Sequence, residues 1–190
     1  MSTKGGIETE VKFRMGSAAE FSERLRKAGA KFVKTGFEMN IKYDRNGELE
    51  KKKELLRLRS YAGEADITHK RKAKSGRMGF KTREETVVMI ESFDAGKKLL
   101  ERLGYEKDWI YEKKQQVWVL GKIEVFLDEL PLIGNFIEIE GEPEEIEKAA
   151  RKLGLDMKDA LTTTYADEYE AYRKKNKLPV EDLTFREGKG

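Results

Sequence analysis

The sequence predicts an α+β domain in which eight antiparallel strands close into a barrel, with helices packed outside it. Three observations lead there. Residues 7–15 alternate strictly, with Ile7, Thr9, Val11, Phe13 and Met15 on one face and Glu8, Glu10, Lys12 and Arg14 on the other, the two-residue period of a strand with one buried face. The same apolar–charged alternation returns in Leu56-Arg57-Leu58-Arg59 and in Ile137-Glu138-Ile139-Glu140. Strands come in runs broken by only a few helices, which argues for an antiparallel α+β arrangement rather than a wound parallel sheet.

The elements follow in order. After the strand at 7–15, a helix is expected over 17–28: Ser17 is placed to cap it, Phe21 and Leu25 stand four apart, and Gly29 stops it. A strand over 31–43 runs into Asp44-Arg45-Asn46-Gly47, which is turn chemistry. The Lys/Glu-rich stretch 48–54 reads as a solvated connection. Strands are expected at 55–61, 66–72 and 83–92, then a helix over 94–103 ending at Gly104, then strands at 105–114, 116–120 and 123–128. Pro131 and Gly134 mark a turn before a last alternating strand at Phe136 to Glu140, and helices are expected at 143–153 and 165–175. The two halves of this order are loosely alike. No linker divides the chain, so the expectation is one domain over residues 5–176 and a short C-terminal tail over 177–190.

Composition narrows the function classes. A chain of 190 residues fits one domain, which buries about two-thirds of its unfolded surface. Charged residues make up 39% and hydrophobic ones 38%, against about 25% charged in an average protein. Such a chain folds, and it carries an unusually charged surface or cavity. The 39 basic and 36 acidic residues leave a net charge of only +3, which does not favour a nucleic-acid binder. With no cysteine there is neither a disulfide scaffold nor a thiolate metal site. The N-terminus has no apolar signal core, and no stretch approaches the ~20 apolar residues of a membrane span. A cytoplasmic location without a membrane partner is expected.

The charged strand faces carry the functional reading. One such strand is most simply a solvated sheet face, but here the pattern recurs in five or more strands. Their apolar faces must lie under the helices, so their charged faces share the other side of one sheet. A curved sheet of about eight strands closes into a barrel, and those faces then line its interior. Unpaired buried charge is costly, so such an interior calls for water, metal ions and a charged ligand. Glu8, Glu10, Asp128, Glu138 and Glu140 offer hard oxygen ligands for Mg²⁺ or Mn²⁺. Lys12, Arg57, Arg59, Lys70 and Lys113 suit a polyanion, with Arg able to grip phosphate through two parallel hydrogen bonds. Phosphate plus a divalent metal is the simplest joint reading.

Several segments then resemble one family in order along the chain. Ile7-Glu8-Thr9-Glu10-Val11-Lys12 matches the E-x-E-x-K signature that opens the CYTH superfamily, the triphosphate tunnel metalloenzymes. Leu56-Arg57-Leu58-Arg59 resembles its L-R-x-R strand, Thr68-His69-Lys70 its T-x-K strand, and Arg83-Glu84-Glu85 its R-x-E strand. Leu127-Asp128 through Gly134, Phe136 and Glu138-Ile139-Glu140 is similar to the family's L-D to E-I-E block, and Thr164-Tyr165 to its S-Y segment.

The resemblance implies an eight-stranded tunnel with Glu8, Glu10, Glu138 and Glu140 on the metal side, and Asp128 either as a further ligand or as the holder of a basic partner. It implies Glu8, Glu10, Lys12 and Lys113 as catalytic residues. Lys12, Arg57, Arg59, Lys70, Lys113 and Asp128, with Arg83, become substrate contacts. The substrate is then a small triphosphate with Mg²⁺ or Mn²⁺, and a homodimer is left open. Three outcomes stay open too: cyclisation of ATP to cyclic AMP and pyrophosphate, as in class IV adenylate cyclases; hydrolysis of thiamine triphosphate, a nucleoside triphosphate or tripolyphosphate; or binding without catalysis. Gln115 stands where cyclase-like members carry an Arg.

Other residues take plainer roles. His69, the single histidine, falls in the phase opposite Lys70, and a lone His without cysteine argues against a zinc site. Trp109 and Trp118 are expected to pack under helices. Lys74 to Gly79 is basic and Gly-containing but lacks the strand-to-helix setting of a phosphate loop.

Overall fold

The structure is a computed structural model that describes residues 3–185. Eight strands form a closed antiparallel barrel: β1 (Thr3–Met15), β2 (Lys31–Asp44), β3 (Leu55–Tyr61), β4 (Glu64–Lys72), β5 (Lys81–Ile90), β6 (Glu106–Leu120), β7 (Ile123–Leu130) and β8 (Gly134–Glu140). Around the wall they run β1-β5-β4-β3-β2-β6-β7-β8. Closure depends on β1, whose first half pairs with β5 and whose second half pairs with β8. At Glu10 the two pairings overlap, with Lys81 on one side and Glu140 on the other.

Alternation sends the apolar side chains outward, and three helices cover them. α1 (Ala18–Lys27) and α4 (Pro143–Lys152) lie over β1, β7 and β8, where Val11, Phe13, Phe21, Leu25, Trp118 and Ile146 share one core. Each large apolar side chain fully buried there contributes about 1.5–3 kcal/mol. α3 (Phe93–Arg102) covers β3 and β4. Capping follows the sequence: the Ser17 hydroxyl accepts from the Glu20 amide, Ser92 from Ala95, and Thr164 and Asp167 form a reciprocal capping box. Ile7 belongs to the apolar face of β1 yet is exposed, because the helices covering Val11 and Phe13 stop short of it.

The structure departs from the sequence expectations in four places. Residues 106–120 make one continuous strand, not two; Gln115, the residue between the two expected strands, stays in the ladder with β2 and β7. The 48–54 segment contains a short helix, α2 (Glu48–Lys52), seated on buried Leu49 and capped where the Asp44 carboxylate accepts from the Leu49 and Glu50 amides. The last helix, α5 (Tyr165–Asn176), does not lie on the outer wall. Its Tyr165 and Tyr169 join inward-facing Tyr111 and Phe136 in a separate aromatic cluster, so α5 sits across one end of the barrel. Finally, β7 pairs only with the second half of β6, and residues 181–185 dock beside the first half. There the Leu183 amide donates to the Ile110 carbonyl, the Leu183 carbonyl accepts from the Glu112 amide, and the Leu183 side chain is fully buried. Among the described residues no helix is long and apolar enough to cross a membrane.

Candidate active site

The barrel interior is lined by charge of both signs, sorted by strand. β1 contributes Glu8, Glu10 and Lys12 on its inward phase, and β8 contributes Glu138 and Glu140 beside them. Glu8, Glu10 and Glu140 each offer a carboxylate oxygen, and these oxygens lie within 4.8 Å of one another. Burial pushes the Glu140 carboxyl well above its ordinary value, reinforced by Glu8, Glu138 and Glu10. Three acids so close repel one another, which favours the neutral form of Glu140. A hard divalent cation fits this donor set because it removes that repulsion.

Lysines from the neighbouring wall reach the same carboxylates. Lys70 Nζ stands 2.6 Å from Glu8 Oε2, and Lys81 Nζ 2.7 Å from Glu10 Oε1. Lys12 Nζ lies 3.0 Å from Glu138 Oε2 and 3.4 Å from Glu10 Oε1. Burial alone would lower Lys12, but Glu138 and Glu10 outweigh it and hold the ammonium above its ordinary value. Glu138 is depressed in turn: burial opposes this, and Lys12 and Lys113 overcome it. So of the five acids expected as metal ligands, Glu8, Glu10 and Glu140 come together, while Glu138 is engaged with Lys12.

Asp128 belongs to a second, deeper network. It is fully buried and accepts from Lys113 Nζ at 2.9 Å, Gln115 Nε2 at 2.8 Å and the Tyr165 hydroxyl at 2.6 Å. Burial pushes its carboxyl up, against the pull of Lys113 and with the push of Glu138. Gln115, in the position where an Arg is expected, therefore spends its amide on Asp128. Glu38 continues the network, 3.5 Å from Lys113 and 3.8 Å from Arg59. Arg59 also donates to Asp66 at 2.6 Å, and Arg57 lies beside Tyr111 and Thr68. Among the buried side-chain atoms of this wall, Glu38 Oε2, Asn40 Oδ1 and Arg57 Nε have no hydrogen-bond partner. Arg83 stands opposite Glu8 in register but turns to the Lys53 carbonyl at 3.0 Å.

Burial would raise the Glu38 carboxyl, yet Lys113, Arg57 and Arg59 hold it below its ordinary value of 4.5. A depressed acid contributes stability that is present above its unfolded value and is lost as pH falls through its folded value. The acid limb of the stability curve therefore steepens below about pH 4.5. Urea titrations at successive pH values check this: Glu38→Gln should flatten that limb, and an unchanged limb would assign the acid sensitivity elsewhere.

Four contributors were not anticipated as site residues: Lys81, Tyr165, Glu38 and Asp66. Lys81 and Glu38 share the inward phase of Arg83 and Asn40, so a longer reading of each strand's alternation finds them. Tyr165 reads as a packing aromatic, and only the tertiary arrangement puts its hydroxyl on Asp128 and Glu138 and its ring under Lys12, 4.6 Å from the ammonium. His69 lies with Glu54, 3.3 Å away, outside this interior. Trp109 stacks on Tyr111 and Tyr169, Trp118 is buried in the core, and Arg77 of the 74–79 loop pairs with Glu144 and Glu147 of α4.

The CYTH domain model matches residues 6–165, most of the chain. The chain belongs to the CYTH domain family. A Methanocaldococcus jannaschii protein named "putative adenylate cyclase" is 30% identical over 137 residues, covering 70% of this chain and 76% of that protein. Among solved structures, a Vibrio parahaemolyticus "putative adenylate cyclase" superposes with a TM-score of 0.76 at 20% identity, covering 88% of this CYTH chain and 99% of its own. A Hippeastrum protein, described as a "putative adenylyl cyclase" with a dominant triphosphatase activity, superposes with a TM-score of 0.61 at 18% identity, covering 91% and 97%. At these identities the two structures establish the CYTH barrel as a shared fold.

Proposed function

We propose that this CYTH domain is a divalent-metal-dependent enzyme that processes a small triphosphate inside its barrel, with cyclisation of ATP to cyclic AMP and pyrophosphate as the first reading. The observation that carries it is the carboxylate group Glu8, Glu10 and Glu140, facing a wall of bases in one enclosed interior. Those three residues would hold Mg²⁺ or Mn²⁺, with Asp128 and Glu138 kept for positioning bases. Bound there, the cation supplies Lewis-acid polarisation of the phosphate oxygens.

The protein's own groups do the rest. Lys12, Lys70 and Lys113 are all held above the ordinary lysine value by neighbouring carboxylates, against the opposing effect of burial, so they stay cationic at neutral pH. Arg57 and Arg59 add fixed charge, while Arg83, held on the Lys53 carbonyl, would have to turn from it to meet a phosphate. Preformed cations of this kind stabilise charge that grows on the transferring phosphoryl and leaving groups. For cyclisation the 3′-hydroxyl of the ribose would lose its proton to water as its oxygen bonds the α-phosphorus and the bond to pyrophosphate breaks.

Hydrolysis is the second reading, and Gln115 favours it. Its amide is committed to Asp128, so the clamp has one guanidinium fewer than the cyclase-like pattern calls for. The Hippeastrum structure, where triphosphatase activity dominates, shows a protein of this fold described with that activity. Incubation with Mg²⁺ or Mn²⁺ and, separately, ATP, thiamine triphosphate and tripolyphosphate decides among the readings. Cyclic AMP with pyrophosphate marks a cyclase, and orthophosphate marks a hydrolase. Binding of tripolyphosphate with no turnover of any substrate would overturn the enzyme reading.

A further inference from the structure

Lys81 and Glu140 flank the same carboxylate, Glu10. Glu10 is the one residue of β1 paired in register with both neighbouring strands, Lys81 on β5 and Glu140 on β8. Lys81 Nζ sits 2.7 Å from Glu10 Oε1, on a carboxylate that belongs to the three-acid group. Glu10 is nearly inaccessible while the Lys81 side chain remains 19% exposed, so the lysine reaches in from the more open side of the pair. Lys70 holds Glu8 in the same way. Lys12 Nζ lies 3.4 Å from the same Glu10 oxygen, so Glu10 already faces two ammonium groups and Glu8 one.

We propose that Lys81 is a transferable phosphate contact: it neutralises Glu10 while the metal site is empty and passes to the triphosphate when a divalent cation takes that carboxylate. The inference rests on the triphosphate reading of the barrel and deepens it. Glu10 already meets two ammonium groups, so a divalent cation and the Lys81 head cannot both stay on it without repulsion. Lysine is a compact charge on a flexible stem, so its head can leave Glu10 without moving β5. A displaced ammonium inside the barrel then needs an anion, because unpaired charge there is expensive. Phosphate oxygens supply it. Cation and triphosphate therefore reinforce each other's binding, each by the same factor.

The test compares wild-type protein with Lys81→Met and Lys81→Arg. Tripolyphosphate affinity is measured by calorimetry in EDTA and again in saturating Mn²⁺, and Mn²⁺ binding alone is measured by electron paramagnetic resonance. Lys81→Met should weaken tripolyphosphate binding roughly 5- to 50-fold in Mn²⁺ and by less than about twofold in EDTA. It should also bind Mn²⁺ alone more tightly than wild type, having lost the competitor, while Lys81→Arg keeps most of the Mn²⁺-dependent affinity. Equal weakening with and without Mn²⁺ overturns the proposal in favour of a fixed phosphate contact. Unchanged Mn²⁺ affinity in Lys81→Met overturns the competition itself. Wild-type protein that binds neither Mn²⁺ nor tripolyphosphate overturns the triphosphate reading and this inference with it. Thermal melts of the variants establish that each one folds.

Discussion

Glu10→Gln should lower turnover by about a thousandfold or more, equivalent to roughly 4 kcal/mol of transition-state stabilisation, while leaving the fold intact. The substitution keeps shape and hydrogen-bonding capacity but removes one of three carboxylate charges that stand within 4.8 Å of each other. Mn²⁺ affinity should fall in parallel, since a neutral amide oxygen is a weaker ligand than a carboxylate. Stability should change little or rise, because the same carboxylate contributes to the repulsion that lifts Glu140. Glu140→Gln should behave alike. Turnover that survives Glu10→Gln, coupled to a large drop in melting temperature, would make this group a structural ion cluster and sink the metal assignment.

Asp128→Ala should cost stability above all: about 3–5 kcal/mol, the usual penalty for stranding a buried charge. For a chain of this size that lowers the melting temperature by roughly 6–20 °C. Three donors converge on this carboxylate, and Lys113 beside it is almost fully buried. Without Asp128 the Lys113 ammonium keeps the more distant Glu38, 3.5 Å away, as its ion-pair partner among the described residues. Adding Lys113→Met to Asp128→Ala should recover part of the loss, since an apolar pair is tolerated better than a lone charge. Urea unfolding of the two single variants and the double variant measures the coupling. A single-variant loss below about 1 kcal/mol would place Lys113 in water.

Much of this was legible in the chain itself, because alternation is a local property. Glu8-Thr9-Glu10-Val11-Lys12 and Ile137-Glu138-Ile139-Glu140 announce strands with one charged face, and Ser17 and Gly29 bracket a helix without reference to anything distant. What alternation does not carry is partnership. That Glu138 turns to Lys12, that Asp128 turns to Lys113 and Tyr165, and that Glu8, Glu10 and Glu140 converge depends on register between strands far apart in sequence. Lys81 fell just outside the strand expected to begin at residue 83, although its register with Glu10 makes it part of the site. Leu183 was hidden for another reason: the apolar residues of the tail, Leu178, Val180, Leu183 and Phe185, follow no sustained strand or helix period, and the burial of Leu183 depends on the edge of β6 that β7 leaves unpaired.

The split pairing of β1 also sets a timetable for biosynthesis. Residues 10–15 find their partners only at residues 135–140, so the first strand to leave the ribosome has one edge open until the last strand is made. At typical synthesis rates that interval is of order ten seconds. For that time the acids and bases of the future interior face water and are fully hydrated, and their mutual pairing arrives as the barrel closes. This chain must therefore desolvate its most expensive residues late, in the same step that joins its first and last strands.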